Sequence, residues 1–424
     1  MSRIDPNQSM IRENIGLVGL IAILIVLPFG GFSIHIGGKT PEILFADVIV
    51  FLLAGLLFAR IIRFGRQAPL NRSVTAMVIP IILLLIFGGI AVFNLPFSAD
   101  PSRCMARILN VVAGPLLAIM AYCLAAGNSK TLKVFSSFIP LFSCYLAVAQ
   151  FITLFITTGS MLPNLISRNT AGVFACSLNY TAALMLFLAV VSGGLYIHPA
   201  PGTKSLLAGF GYAAGFSLTL ISGSRGGFIA LILGTAFLSV FLCKKDRYRL
   251  LGLVLLAVLI STPFAVAAKD VAIRTISFLV PNAPDVTFAS SDIFRTSIWE
   301  LAWAKFLRQP VFGVGFDDLY VADLGKSMPA HSAVLELLLG VGLFGLIVYL
   351  AIGFCFMNRM YHWRNKPLAA SLLASLAALA ASVAIQPFLT TGRALNLIMG
   401  IVIGLGLRVL DAAREEPETM PKPE

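Results

Sequence analysis

The chain has 424 residues, of which 58% are hydrophobic and only 12% are charged, and its mean hydropathy is +0.92. Soluble domains carry about 25% charged residues, so this composition excludes a soluble enzyme and indicates an all-α polytopic membrane protein. The net charge of +12 does not indicate nucleic-acid binding. The basic residues lie between apolar runs, as in membrane proteins, where they can contact lipid headgroups.

Apolar runs of membrane-spanning length follow one another along the chain. The first, from Ile15 to Phe32, lacks an A-x-A cleavage site, so we expect a span rather than a signal peptide. A span needs about 20 apolar residues. By this criterion the sequence predicts about twelve spans, near residues 15–33, 43–62, 74–93, 107–126, 134–157, 172–194, 206–223, 227–243, 250–268, 331–356, 368–388 and 395–411. We expect one transmembrane domain over 1–411 and a disordered cytoplasmic tail over 412–424.

The loops at alternate ends of the predicted spans differ in their content of Lys and Arg. The richer set contains Arg3, Arg12, Arg60, Arg63, Arg66, Arg72, Lys130, Lys133, Lys204, Lys244, Lys245, Arg247, Arg249, Arg359, Arg364, Lys366, Arg408, Arg414 and Lys422. The positive-inside rule assigns this set, and with it both termini, to the cytoplasm. The turn at Ser224 and the long loop 269–330 are then expected on the outer face.

The long loop 269–330 is the longest segment that is not continuously apolar. Ser291 is a candidate N-cap for a helix from Asp292 to about Leu307, which Pro310 would end. Its apolar residues share one face, so we expect the helix to lie on the outer membrane surface. That face contains Phe294, Ile298, Leu301, Ala302 and Phe306. A tight turn is predicted next, from Pro310, Gly313 and Gly315.

Arg225 interrupts the apolar stretch 206–243, in the sequence Ser224-Arg225-Gly226. An arginine at a membrane edge is costly without a partner, and a guanidinium beside glycines suits a phosphate or diphosphate. The alternative is a topology anchor whose side chain reaches the interface. Other arginines near outer span ends are expected to complete a positively charged mouth for an anionic lipid. These are Arg103, Arg107, Arg168 and Arg295.

His331, at the head of a predicted span, is the histidine best placed for chemistry. Of the other three, His198 and His362 fall in predicted cytoplasmic loops and His35 in the first outer loop. A histidine at a span mouth is either a hydrogen-bonded cap or a general base near neutral pH. The residue pattern leaves both interpretations open.

Four acidic residues each have a functional and a structural interpretation. Asp47 and Glu336 lie within apolar runs, where an acid is either part of a site or one half of an ion pair with a neighbouring helix. Asp317 and Asp318 have the composition of a divalent-metal site, but adjacent acids in a loop are usually only solvated. We therefore expect no metal.

Several familiar patterns are missing from the sequence. The six cysteines show no CxxC or Cys/His spacing, so we expect small buried hydrophobic residues. The chain has no GxxxxGK[ST], HExxH or GxSxG motif and no GxGxxG leading into a helix. Soluble nucleotide chemistry is therefore unsupported.

Four segments form a series. The first is Arg168-Asn-Thr-Ala-Gly172-Val-Phe followed by Asn179, and the second is Ser224-Arg225-Gly226. The third comprises Arg295, Trp299, Phe306, Pro310, Gly313, Gly315 and Phe316. The fourth is His331 followed by Leu335, Gly342 and Gly345. In this order they resemble motifs of the O-antigen ligase and polymerase-like family of bacterial inner-membrane glycosyltransferases, over about residues 168–350. The family usually has asparagine after the histidine, where this chain has Ser332.

The resemblance implies a glycan donor on undecaprenyl diphosphate, an active site on the periplasmic face of the inner membrane, and no metal or other cofactor. The candidate diphosphate-binding residues are Arg168, Arg225 and Arg295. His331 is the candidate base for the acceptor hydroxyl, and Glu336 or Glu300 would orient it or replace it. The acceptor of a ligase is the lipid A–core oligosaccharide. We expect Arg225, Arg295 and His331 to converge in space.

Three alternatives remain open. The motifs do not separate a ligase from a polymerase, whose acceptor is another lipid-linked repeat unit of O-antigen or exopolysaccharide. Transfer of the glycan to a protein is the same chemistry. A transporter or flippase is a rival of another class. Such carriers often have two related halves and a long central cytoplasmic loop, whereas the long loop here is late and predicted outside.

Overall fold

The computed structural model of the chain describes residues 6–26, 31–33, 42–64, 68–126, 131–160, 178–198, 205–276, 288–321, 326–384 and 388–415. The described part is predominantly helical, which confirms the all-α prediction. Two short antiparallel hairpins interrupt it, and in the second Tyr320 lies opposite Ser327.

The helices are α1 (Pro6–Val26), α2 (Phe45–Phe64), α3 (Ala68–Ala76), α4 (Val78–Phe93), α5 (Pro101–Leu124), α6 (Thr131–Thr158), α7 (Leu178–Ile197), α8 (Ser205–Ile221), α9 (Arg225–Val240), α10 (Lys244–Ala267), α11 (Lys269–Ile276), α12 (Phe288–Phe306), α13 (Ala333–His362), α14 (Pro367–Ala384), α15 (Phe388–Thr391) and α16 (Arg393–Glu415). The strands are β1 (Gly31–Ser33), β2 (Glu42–Leu44), β3 (Leu319–Val321) and β4 (Lys326–Met328).

Each predicted apolar run overlaps a helix in the described residues, although the helix of the first run ends at Val26 and residues 31–33 of that run form β1. Within the described residues, eight helical segments are long and apolar enough to cross a membrane, namely Val78–Phe97, which is α4 with the short helical turn after it, and α5, α6, α7, α10, α13, α14 and α16. The apolar parts of α1, α2, α8 and α9 are shorter. The structure therefore supports a polytopic membrane protein, and the total of about twelve spans stays a prediction.

Small residues allow the central helices to approach closely. α16 packs along α5, where a Cβ on Gly404 would lie only 2.2 Å from Ala118 O, so only glycine fits. α7 and α16 are buried along most of their length. α7 contacts α8, α9 and α14. These two helices form the centre of the bundle.

One end of the bundle, here called the Asp411 end, is fixed by a half-buried cluster of polar side chains. Arg359, near the end of α13, binds Asp411 of α16 at 2.6 Å and donates to Tyr122 Oη at 2.9 Å. α7 also ends at the Asp411 end, because Gly194 in its last turn packs against Ser371 at the start of α14. Some of the loops that are predicted to be cytoplasmic from their Lys and Arg content fall within the described residues. These loops lie at the Asp411 end.

The opposite end, the His331 end, contains the starts of α5, α7, α13 and α16. Tyr180 at the start of α7 accepts a hydrogen bond from Thr391 at 3.2 Å. α8 runs back from the Asp411 end, so the turn that precedes Arg225 lies at the His331 end. The sequence-based sidedness of these segments is therefore internally consistent.

The start of α12 and the end of α16 differ from the sequence-based predictions. α12 begins at Phe288, so Ser291 lies inside the helix and is not its N-cap. α16 continues to Glu415, beyond the predicted domain end at residue 411. The helical backbone simply extends through polar residues that complete a last turn, and residues 416–424 lie outside the described part.

Candidate functional site

His331 has an unusual backbone conformation for its residue type. Its φ is 53°, and among the described residues it is the one non-glycine with positive φ. Ser332 follows as the N-cap of α13, and its hydroxyl accepts a hydrogen bond from the Leu335 N–H at 3.4 Å. Positive φ in a non-glycine residue stores strain, which is common at functional sites.

The surroundings of His331 favour a neutral imidazole. The side chain is half-buried, and this burial lowers the pKa of His331 below its ordinary value near 6.5. The positive charge of Arg295 lowers the pKa further. Two of the candidate residues, Arg295 on α12 and His331 before α13, are therefore close enough to interact electrostatically. A neutral imidazole at pH 7 has the protonation state that a general base requires.

The packing of α12 explains how Arg295 reaches this position. Ile298 and Ala302 are fully buried and Phe306 is nearly so. They pack with β3 and with Leu338 and Leu339 of α13 in a small second core. Part of the apolar face of α12 thus contacts protein, whereas Leu301 of the same face stays 40% exposed. The location of α12 on the outer membrane surface stays a prediction.

The turn after α12 fits into a break in α13. Gly342 interrupts the helix with φ 67° and ψ −172°, and Gly313 in the turn has φ 79°. The Val314 N–H donates to Leu339 O at 2.7 Å, and the Leu343 N–H donates to Pro310 O at 2.8 Å. The broken helix leaves backbone groups unpaired, and the turn supplies partners for them. The turn was predicted, whereas the helix break was not.

Arg225 is the first residue of α9. The preceding turn contains Gly223 at φ 72°, and Ser224 caps the helix by accepting from the Gly227 N–H at 3.1 Å. A Cβ on Gly227 would lie 3.0 Å from Ser224 Oγ, so the cap favours glycine there. The half-buried guanidinium of Arg225 lies at the His331 end. Convergence of Arg225 with His331 stays a prediction.

Arg103 and Arg107 have a structural role that differs from the predicted anion-binding mouth. Both form ion pairs with Asp318, and the side chain of Arg107 is only 8% exposed. Asp317 accepts from Ser98 and from the Ala99 N–H, the latter at 2.9 Å. The two aspartates thus anchor the chain after α12 to the start of α5. The interpretation of Asp317-Asp318 as a merely solvated pair is wrong.

Glu336 is buried at 3% exposure in the first turn of α13. Its carboxylate accepts a hydrogen bond from Thr390 of α15, and Oε1 has no hydrogen-bond partner among the described residues. Arg107 and Asp318 lie within electrostatic range of it. Glu300, by contrast, is exposed on α12. Glu336 is therefore the better placed of the two acids to support the site from within the protein.

Asp47 has the structural role of the two that were considered, since it forms an ion pair with Arg393 at the start of α16. Arg393 also donates to Asn110 Oδ1 at 2.9 Å, and Asn110 donates to Thr390 O at 2.8 Å. This network joins α2, α5 and α16 to the element that holds Glu336. The last candidate, Arg168, lies outside the described residues.

The fold defines a class, a polytopic membrane protein, in which Arg295 lies near a half-buried His331 at one end of the helix bundle. Residues 210–350 match the family model of the O-antigen ligase domain, Wzy_C. The match supports the sequence-based resemblance to an O-antigen ligase-like family over that segment, which contains Arg225, Arg295, His331 and Glu336. No curated protein matches the chain.

Proposed function

We propose that the chain is a glycosyltransferase that moves a preassembled glycan from undecaprenyl diphosphate to a hydroxyl of the lipid A–core oligosaccharide. The reaction would occur at the periplasmic face of the bacterial inner membrane, with both termini in the cytoplasm. The observation that carries the proposal is that Arg295 lies within electrostatic range of a half-buried His331, with both residues inside the matched segment.

The proposed reaction is a direct displacement at the anomeric carbon. The acceptor oxygen forms the new glycosidic bond while the bond from the anomeric carbon to the diphosphate oxygen breaks. The proton of the acceptor hydroxyl passes to the neutral imidazole of His331. The leaving diphosphate keeps the bonding electron pair, so it needs positive charge rather than a proton. One base and no covalent nucleophile imply inversion at this carbon.

Arginines fixed before the reaction begins are suited to this leaving group. Arg295 sits on a helix that is held by a packed core, and Arg225 sits on a capped helix start. We assign both, with Arg168, to the diphosphate. Glu336 is assigned to support the base, since its buried carboxylate is bound to α15.

The test of function is the lipopolysaccharide pattern of a deletion strain complemented with the wild-type gene or an empty vector. We expect loss of the whole O-antigen ladder and accumulation of lipid-linked polymer in the strain without the protein. A single capped repeat would instead identify a polymerase. A normal ladder with loss of a secreted polysaccharide would indicate exopolysaccharide polymerisation. Substrate transport without any glycan transfer would favour a carrier.

The pH dependence of transfer is expected to respond to Arg295. The base must be neutral, so activity should fall as the pH drops through the pKa of His331, which lies below about 6.5. A neighbouring positive charge disfavours imidazolium, and Arg295→Gln therefore raises this pKa. We expect the acidic limb of the kcat/KM profile to move to higher pH. Arg308→Gln removes the same charge from an exposed position after α12 and should leave the limb in place.

A further inference from the structure

Asn94 lies where the turn 310–315 contacts the break in α13 at Gly342. This contact is called the joint below. Asn94 follows the last residue of α4, is 1% exposed, and is the C-cap of that helix. Its Nδ2 donates to Phe312 O in the turn and to Gly340 O in α13, the second at 3.0 Å. One side-chain amide therefore uses both of its hydrogens on the two sides of one joint.

The joint has little room for any other arrangement. A Cβ on Gly342 would lie 2.3 Å from Val311 O, and a Cβ on Gly313 would lie 2.5 Å from Leu339 O. The Phe344 N–H also donates to Val311 O at 3.1 Å. The backbone of the turn is in direct contact with the backbone of α13. A small displacement of either one therefore breaks several hydrogen bonds at once.

The joint connects α12, which carries Arg295, to α13, which follows His331. It does so several helical turns away from both side chains. On one side the turn continues back into α12, since the Gly313 N–H donates to Gln309 O at 2.9 Å and the Gln309 N–H to Phe306 O at 3.0 Å. That helix presents Arg295. On the other side the first turns of α13 lead back to His331. The position of Arg295 relative to His331 therefore depends on how firmly the joint is closed.

We propose that Asn94 is a positioning residue that clamps the turn 310–315 to the break in α13 and thereby fixes Arg295 relative to His331. Asn94 is buried and binds both elements, so the proposed effect acts through them. It lies outside the segment 210–350 that matches the ligase family model. The consequence for turnover rests on the proposed function, whereas the geometric role does not.

The test is the ionisation of His331 in the purified full chain. Modification by diethyl pyrocarbonate requires neutral imidazole, so its pH midpoint, read on the His331 peptide by mass spectrometry, reports the pKa without any glycan transfer. We expect Asn94→Ala to move the midpoint upward, toward the ordinary value near 6.5. The loosened joint would expose His331 and separate it from Arg295. Asn94→Ser keeps one donor and should shift the midpoint less.

Asn396→Ala is the matched control. Asn396 is also 1% exposed and also donates from Nδ2 to two backbone carbonyls, of Asn110 and Leu389, at 2.7 Å each. These bonds fix the start of α16, not the turn. We expect this variant to lower the melting temperature while the His331 midpoint stays at its wild-type pH. Gly342→Ala opens the clamped joint from the other side and should shift the midpoint as Asn94→Ala does.

The outcomes separate the positioning role from the proposed function. If Asn94→Ala lowers the melting temperature and leaves the His331 midpoint unchanged, then Asn94 is merely structural and the proposal is wrong. If the midpoint shifts in a protein that transfers no glycan, the positioning role holds and the proposed function fails. If both hold, the kcat of transfer should fall in Asn94→Ala more than in Asn396→Ala.

Discussion

His331→Asn is expected to lower kcat of glycan transfer by about 10²- to 10⁴-fold, the usual range for loss of a general base. Asparagine tolerates positive φ better than other non-glycine residues, so this variant keeps the backbone conformation at φ 53° and removes only the imidazole. The measurement is transfer by the purified protein from a lipid-linked donor to lipid A–core. The melting temperature should stay near that of the wild type.

His362→Gln is the control for this substitution. His362 is exposed at the Asp411 end, where its Nδ1 forms a hydrogen bond with the carbonyl of Asn358 in its own helix, at 2.7 Å. We expect full activity in this variant. Wild-type turnover in His331→Asn would remove the catalytic role of His331, whatever the acceptor proves to be. His331→Ala should be the less stable of the two His331 variants, because alanine tolerates positive φ less well than asparagine does.

Asp318→Asn is expected to lower the free energy of unfolding by about 3–5 kcal/mol, the range for removing one partner of a buried ion pair. The carboxylate is held between Arg103 and Arg107, and the Arg107 side chain is 8% exposed. The substitution leaves that guanidinium buried without its countercharge. Reversible chemical unfolding in detergent or lipid is the measurement. The chain after α12 should also become more accessible to proteases.

Asp100→Asn provides the comparison for this prediction. Asp100 pairs with Arg103 at 3.9 Å, and both side chains are about half exposed (45% and 52%). Exposed pairs contribute about 0–1 kcal/mol, and asparagine keeps the N-cap of α5. We therefore expect a small change. Adding Arg107→Gln to Asp318→Asn should recover part of the lost stability. Equal unfolding energies in Asp318→Asn and the wild type would contradict a role for Asp318 as an anchor.

The helices were accessible from sequence because their signal is local. A run of apolar residues of membrane thickness predicts a helix without knowledge of its neighbours. The start of α12 was missed by four residues, because the serines before Asp292 resemble a cap whether or not the helix continues through them. The β3–β4 hairpin was missed because strands of three residues carry almost no periodicity.

The polar contacts of the site were not accessible for a different reason. Arg107 and Asp318 are 211 residues apart in the chain, and nothing in either local sequence indicates the other. Gly342 was also hidden, because a glycine within an apolar run is compatible with an unbroken helix. The candidate residues Arg225, Arg295 and His331 were found from their chemistry and their place at span ends. Their catalytic roles stay predictions.

The anchoring of the long loop has a consequence for exchanging parts between related proteins. The segment 210–350 looks self-contained because it matches a family model, yet Asn94, Ser98 and Arg107 lie far before it in the sequence. A chimera that transplanted only this segment would bring Asp317 and Asp318 into a host without their partners. A chimera must therefore include the end of α4 and the start of α5 together with the loop, because the structural unit is discontinuous in sequence.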